Sequence, residues 1–179
     1  MRYSGLILND FTAAPGVCVS FFVQGCPHRC PSCHNPEAWE FEGGKEFTNE
    51  TLDSIIKGIS ANGISRNLCI MGGEPLCAEN AFLTTLIIKE VKKVYPNIHI
   101  FVWTGYTYED LKHSPPHAQI EYILNNITAL IDGPYIEKLR DTTLQMRGSS
   151  NQRILSMPMG MEVAGICSLN QYWQVSASP

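Results

Sequence analysis

Three cysteines fall within the short stretch Gly25-Cys26-Pro27-His28-Arg29-Cys30-Pro31-Ser32-Cys33-His34-Asn35, and thiols packed this closely must curl around one shared object. Iron and sulfur fit that object. A [4Fe–4S] cube is tied down by cysteine thiolates, normally four, whereas Cys18, Cys69, Cys77 and Cys167 lie scattered and show no paired spacing to supply the fourth. One iron is then left without a protein ligand, and an open metal position is what catalysis needs, as catalytic zinc sites illustrate. Pro27 and Pro31 each follow a cysteine, fix φ and remove an N–H, which stiffens the loop. Two other readings stand beside this one: a zinc site completed by His28 or His34, and disulfides in a secreted chain. The odd total of seven cysteines and the lack of a downstream C-x2-C pair weigh against both. His34 directly follows a ligand and would have to bend back sharply, so it reads as a loop residue.

The elements that must hold this loop are legible around it. A β-branched and aromatic run predicts a strand over 17–24 that delivers the chain straight into the cysteines. Thr48 is placed as an N-cap, with Leu52, Ile55, Ile56 and Ile59 at helical spacing and Asn62-Gly63 as the stop. A strand at 67–71 runs into Gly72-Gly73-Glu74-Pro75. A helix carrying Leu83, Leu86, Ile87, Val91 and Val94 then ends before Pro96. Strands are predicted at 98–103, ending in Thr104-Gly105-Tyr106, and at 129–132, ending in Gly133-Pro134. Between them Thr107 and Asp110 give a weaker cap signal, Pro115-Pro116 interrupts, and Ile120, Ile123, Leu124 and Ile127 mark another helix. Strands recurring about every thirty residues with helices between them are βαβ units, joined right-handedly. A full (β/α)8 barrel needs about 250 residues, so the expected fold is α/β: a partial, open barrel of five or six mainly parallel strands, with a late strand at 162–166.

Parallel strands would place the cysteine loop, the glycine turn, Thr104 and Asp132 side by side on one sheet edge, where open α/β sheets bind ligands. Gly72 and Gly73 permit a tight turn and close approach of a ligand. Their carbonyls and the Glu74 carboxylate are acceptors for a cationic group. A strand-to-helix turn also uses glycine for purely structural reasons. Turn or cap chemistry is likewise the ordinary role of Thr104 and Asp132. Trp39 either shields the loop from water or simply packs.

The spacing Cys26-x3-Cys30-x2-Cys33 resembles that of the radical S-adenosylmethionine enzymes. The resemblance implies that Cys26, Cys30 and Cys33 ligate a [4Fe–4S] cluster whose free iron takes the amino acid part of S-adenosylmethionine. Gly72, Gly73 and Glu74 would meet its ammonium, the backbone of Ser32, Cys33 and His34 its adenine, and Thr104 and Asp132 its ribose or carboxylate. Many such enzymes carry an aromatic residue where this chain has Ser32. Trp103-Thr104-Gly105-Tyr106, Ile131-Asp132-Gly133-Pro134-Tyr135 and Arg147-Gly148-Ser149-Ser150-Asn151-Gln152 look like stretches of the anaerobic ribonucleoside-triphosphate reductase activating proteins. The likeness covers roughly 15–153 and leaves the extension 154–179 unexplained. It implies a 5′-deoxyadenosyl radical that takes hydrogen from a glycine of a large reductase subunit, fed by a low-potential donor such as a flavodoxin or ferredoxin. No side chain is implied to be catalytic beyond the cluster and cofactor. An activator of another glycyl-radical enzyme, a small-molecule radical enzyme and a zinc-bound interaction module are the competing readings.

The whole chain sets outer bounds. Its 179 residues at 44% hydrophobic content suit one domain with one well-buried core. Thirteen Lys+Arg against seventeen Asp+Glu give a net charge of −4, without a basic block to track phosphates, so nucleic acid is not an expected partner. No signal peptide and no apolar run long enough for a membrane is read, and seven cysteines suit a reducing compartment, so the expected location is the cytoplasm.

Overall fold

Two strands open the chain, β1 (Arg2–Asp10) and β2 (Cys18–Val23). In the computed structural model, which describes residues 1–113 and 116–163, β2 is buried along almost its whole length. It continues through β3 (Lys45–Glu46), α1 (Asn49–Ile59), β4 (Asn67–Gly72), α2 (Ala81–Val94), β5 (Ile100–Trp103), α3 (Tyr108–Leu111), α4 (His117–Asn126), β6 (Ala129–Asp132), β7 (Arg153–Ser156) and β8 (Met161–Glu162). The helix signals resolve as expected. The Thr48 side chain accepts from the Thr51 amide in a capping box, Asn62 and Gly63 turn left-handed past the end of α1, and the Thr107 side chain accepts from the Asp110 amide at the start of α3.

The eight strands form one sheet in the order β3-β1-β2-β4-β5-β6-β7-β8. β2, β4, β5 and β6 pair in parallel, and β1, β3, β7 and β8 add antiparallel ladders at the flanks. The expectation of five or six mainly parallel strands is therefore corrected: the sheet is mixed and larger. β1 escapes a reading from pattern because Ser4, Gly5, Asn9 and Asp10 interrupt its apolar residues; it is held by β2 on one side and β3 on the other. β7 has only Ile154 and Leu155 as apolar residues and is specified by its pairing with β6. The late strand is the two-residue β8, and 164–166, like Pro115 and Cys167, lie outside the described residues. Pairing runs linearly, with no ladder joining β3 to β8 among the described residues.

Side chains alternate across the sheet with the period of two that strands impose. Val19, Phe21, Leu68, Ile70, Ile100, Val102 and Leu130 face one apolar cluster, which Ile55 of α1, Ile87 of α2 and Ile123 of α4 complete. Cys18, Cys69, Phe101, Ala129 and Ile131 face a second, smaller cluster with Ile154 and Val163. Cys18 and Cys69 are fully buried and Cys77 nearly so, which makes them small core hydrophobes. The parallel set means that β2, β4, β5 and β6 all end on the same edge. Among the described residues no helix is long and apolar enough to cross a membrane.

Candidate functional site at the strand ends

The cysteine loop is pinned at its base. Gly25 and Cys26 donate their amides to the carbonyls of Ala38 and Trp39 at 2.9 and 3.0 Å, and the Gln24 side chain donates to Glu37 and Glu40 carbonyls. Arg29 and Ser32 adopt positive φ (45° and 57°), so the chain reverses twice and curls the thiols inward. The Asn35 amide donates to the Cys33 sulfur at 3.4 Å. All three cysteines are half-buried. Burial pushes the Cys26 and Cys30 thiols above their ordinary value, with Glu74 adding to the rise, so a bound cation would favour the thiolates that burial disfavours.

The glycine turn is pressed against that base. A Cβ at Gly73 would stand 2.3 Å from the Gly25 carbonyl oxygen, and one at Gly72 (φ +104°) would stand 2.8 Å from the Phe22 backbone. The Gly73 and Glu74 amides donate to Val23 and Gly25 carbonyls. The glycines thus let the end of β4 lie flat on the cysteine loop. Asn80 locks the junction, its amide donating to the carbonyls of Gln24, Gly25 and Glu74 at 3.0 to 3.1 Å. The Cys77 thiol donates to the Glu74 carbonyl, and burial pushes it up to about 12.

Glu74 is 1% exposed, and its carboxylate is saturated. Oε1 accepts from the Leu76 amide at 2.9 Å and the Thr104 hydroxyl at 2.8 Å. Oε2 accepts from the Gly105 amide at 2.7 Å and from His28 Nε2 at 3.0 Å. A carboxylate has about four acceptor sites, and here every one is taken by three different connections. Instead of waiting for a ligand, Glu74 joins the cysteine loop, its own turn and the end of β5. Thr104 is equally committed, donating to Glu74 and accepting from the Tyr106 amide. Asp132 is fully buried and accepts from Arg153 and from the Tyr108 amide, and Arg153 continues to Glu109.

These loops enclose a cavity of about 520 Å³. Cys26, Cys30, Cys33, His34, Gly72, Gly73, Glu74 and Thr104 line it, while Ser32 and Asp132 are not among its walls. Sequence reasoning passed over Thr12 and Ala13 from the β1–β2 connection and Met146 from the connection after β6, which also line it; Trp103, Tyr135 and Arg147, read there only as parts of family-like stretches, line it as well. His28 carried a signal, since it lies inside the cysteine motif, but it pairs with Glu74. Asn80 carried none, because its three partners are set by tertiary contact. The donor set suits a cube. Among the described residues no three His, Cys, Asp or Glu side chains gather as a site for a single metal ion. Three thiolates on three different irons of a cluster need only share a cavity, as these do.

Comparison with known proteins agrees with this chemistry. Residues 13–155 match a family described as a 4Fe-4S single cluster domain. The chain is 35% identical over 153 residues to an anaerobic ribonucleoside-triphosphate reductase-activating protein of Salmonella typhi, covering 85% of this chain and 96% of that protein. A protein of the same description from Escherichia coli K12 is 33% identical over the same shares. One from Enterobacteria phage T4 is 35% identical over 161 residues, 90% of this chain and 97% of the phage protein.

Proposed function

The chain belongs to the 4Fe-4S single cluster domain family and, within it, to the anaerobic ribonucleoside-triphosphate reductase-activating proteins; on that premise we propose that it activates such a reductase by reductive cleavage of S-adenosylmethionine. One electron from a low-potential donor such as a flavodoxin or ferredoxin breaks the bond between sulfur and the ribose carbon. Methionine leaves, and the 5′-deoxyadenosyl radical takes a hydrogen atom from a glycine of the large reductase subunit, giving 5′-deoxyadenosine and a glycyl radical. A [4Fe–4S] cluster with one iron free of protein ligands supplies, when bound, both that electron and a position for the cofactor's amino acid part.

The observation that carries this reading is the meeting of three half-buried thiols and a glycine turn in one cavity at the ends of parallel strands. Cys26, Cys30 and Cys33 would hold the cluster. Because the Glu74 side chain has no acceptor site to spare, the ammonium falls to carbonyls of Gly72 and Gly73. The backbone of Cys33 and His34 would border the adenine, and Ser32, which stands outside the cavity wall, would not. Glu74, Thr104 and Asp132 would serve by fixing the loops: Glu74 and Thr104 tie three of them together, and Asp132 anchors Arg153 and the start of α3.

The test is anaerobic. Protein reconstituted with iron and sulfide is given dithionite and S-adenosylmethionine, and methionine and 5′-deoxyadenosine are measured by chromatography, with and without the reductase. Formation of both, followed by a glycyl radical signal on the reductase, is expected. Products without radical transfer would assign the chain to another partner or a small molecule. A colourless protein with one zinc per chain would overturn the reading.

A further inference from the structure

His28 stands between two of the three cysteines, yet its side chain leaves the motif and crosses to the turn after β4. Nε2 lies 3.0 Å from Glu74 Oε2, and because a carboxylate only accepts, that nitrogen carries the proton. The surroundings are shaped to the ring. Tyr106 packs against it in a T-shaped arrangement, with ring centroids 4.4 Å apart. A Cβ at Gly105 would stand 2.5 Å from the imidazole Cδ2. Gly105 is not among the positive-φ glycines, so the ring, and no special backbone conformation, is what calls for glycine there. The main chain of the same segment faces the other way: the His28 and Arg29 amides favour the Cys26 thiolate against the burial that disfavours it.

One residue therefore meets a ligand thiol through its amide and the glycine turn through its ring. Groups that hydrogen-bond behind a metal centre hold its geometry, and losing one costs about 10- to 100-fold in affinity or activity. We propose that His28 is a positioning residue: its ring holds the segment between Cys26 and Cys30 against the glycine turn, so that a single S-adenosylmethionine can reach both the open iron and the Gly72 and Gly73 carbonyls. This rests on the function proposed above. It gives His28 no part in bond cleavage.

The test measures equilibrium binding of S-adenosylmethionine to reconstituted holoprotein with its cluster oxidised, so that nothing is cleaved, alongside iron content. His28→Ala should keep its iron and bind the cofactor about 10- to 100-fold more weakly. His28→Gln, whose side-chain amide can donate to Glu74 in place of Nε2, should recover most of that loss. Gly105→Ala, which pushes the ring aside, should weaken binding in the native background and change little once His28 is replaced by alanine, a coupling that a double-mutant cycle reads directly. If His28→Ala fails to hold its cluster, Gly105→Ala and His28→Gln decide the matter. Native-like affinity in His28→Ala or Gly105→Ala, no recovery in His28→Gln, or an equal effect of Gly105→Ala in both backgrounds would overturn the assignment. Failure of the native holoprotein to bind the cofactor at all would instead sink the proposed function.

Discussion

Glu74→Gln is the perturbation that most directly tests how the site is built. Glutamine is nearly isosteric, but it keeps one acceptor oxygen and turns the other into a donor. If the NH2 takes the place of Oε2, His28 can present its other tautomer, yet the Gly105 amide is left facing a donor. If it takes the place of Oε1, the Thr104 hydroxyl can rotate, yet the Leu76 amide is left facing it. Either way one buried main-chain N–H loses its acceptor, at a cost of about 1–3 kcal/mol, and the surviving bonds fall from charged to neutral strength, losing about 1 kcal/mol each. The sum is about 4–6 kcal/mol. For a chain of this size each kcal/mol lowers Tm by about 2–4 °C, so a fall of roughly 8–24 °C is expected. The measurement is thermal unfolding of cluster-free protein under argon, followed by circular dichroism, with the exposed Glu79→Gln as control. A Tm within about 2 °C of the native protein would refute the view that this carboxylate holds three loops together.

Iron analysis of reconstituted protein should show the cluster lost in Cys30→Ala and retained in Cys69→Ala, since Cys69 is fully buried in the smaller apolar cluster and does not line the cavity. Equal loss in both would overturn the ligand assignment. Burial raises the Asp10 carboxyl, but hydrogen bonds from Ser20, Thr12 and Ala13 outweigh it and hold the group below its ordinary value of 3.8. Its contribution is therefore fully present above pH 3.8 and is lost as pH falls through the lower folded value. Urea titrations of native protein and Asp10→Asn should show a gap at pH 7 that closes in acid; a gap that widens on acidification would refute the sign.

What could be read from the sequence was whatever neighbours in the chain decide. The cysteine spacing, the Thr48 cap, the left-handed stop at Asn62-Gly63 and the span of β6 each depend on a few adjacent residues. β1 and β7 depend instead on partners: their own patterns are broken or short, and ladders to β2 and β6 supply what propensity lacks. The same division runs through the site. That Glu74 would stand at a strand end was legible; that its acceptors would be filled was not, because Thr104 and His28 lie 30 and 46 positions away. Ser32 has the right position in the chain but takes positive φ and stands outside the cavity wall. Arg147 reaches the cavity only because β7 runs antiparallel to β6, a pairing that its own four residues do not announce.

That antiparallel return sets this connection apart. The chain leaves β4 and β5 through helices that pack on the sheet, so lengthening either connection would disturb the core. From β6 to β7 it has no α-helix: 133–152 departs from one sheet edge and re-enters at the same edge, supplying Tyr135, Met146, Arg147 and Gln152 to the cavity as it passes. Loops that lie on the surface beside a fixed scaffold tolerate insertion and substitution far better than elements that pack. Here the length of that connection is set by what it must reach across the cavity rather than by packing on the sheet.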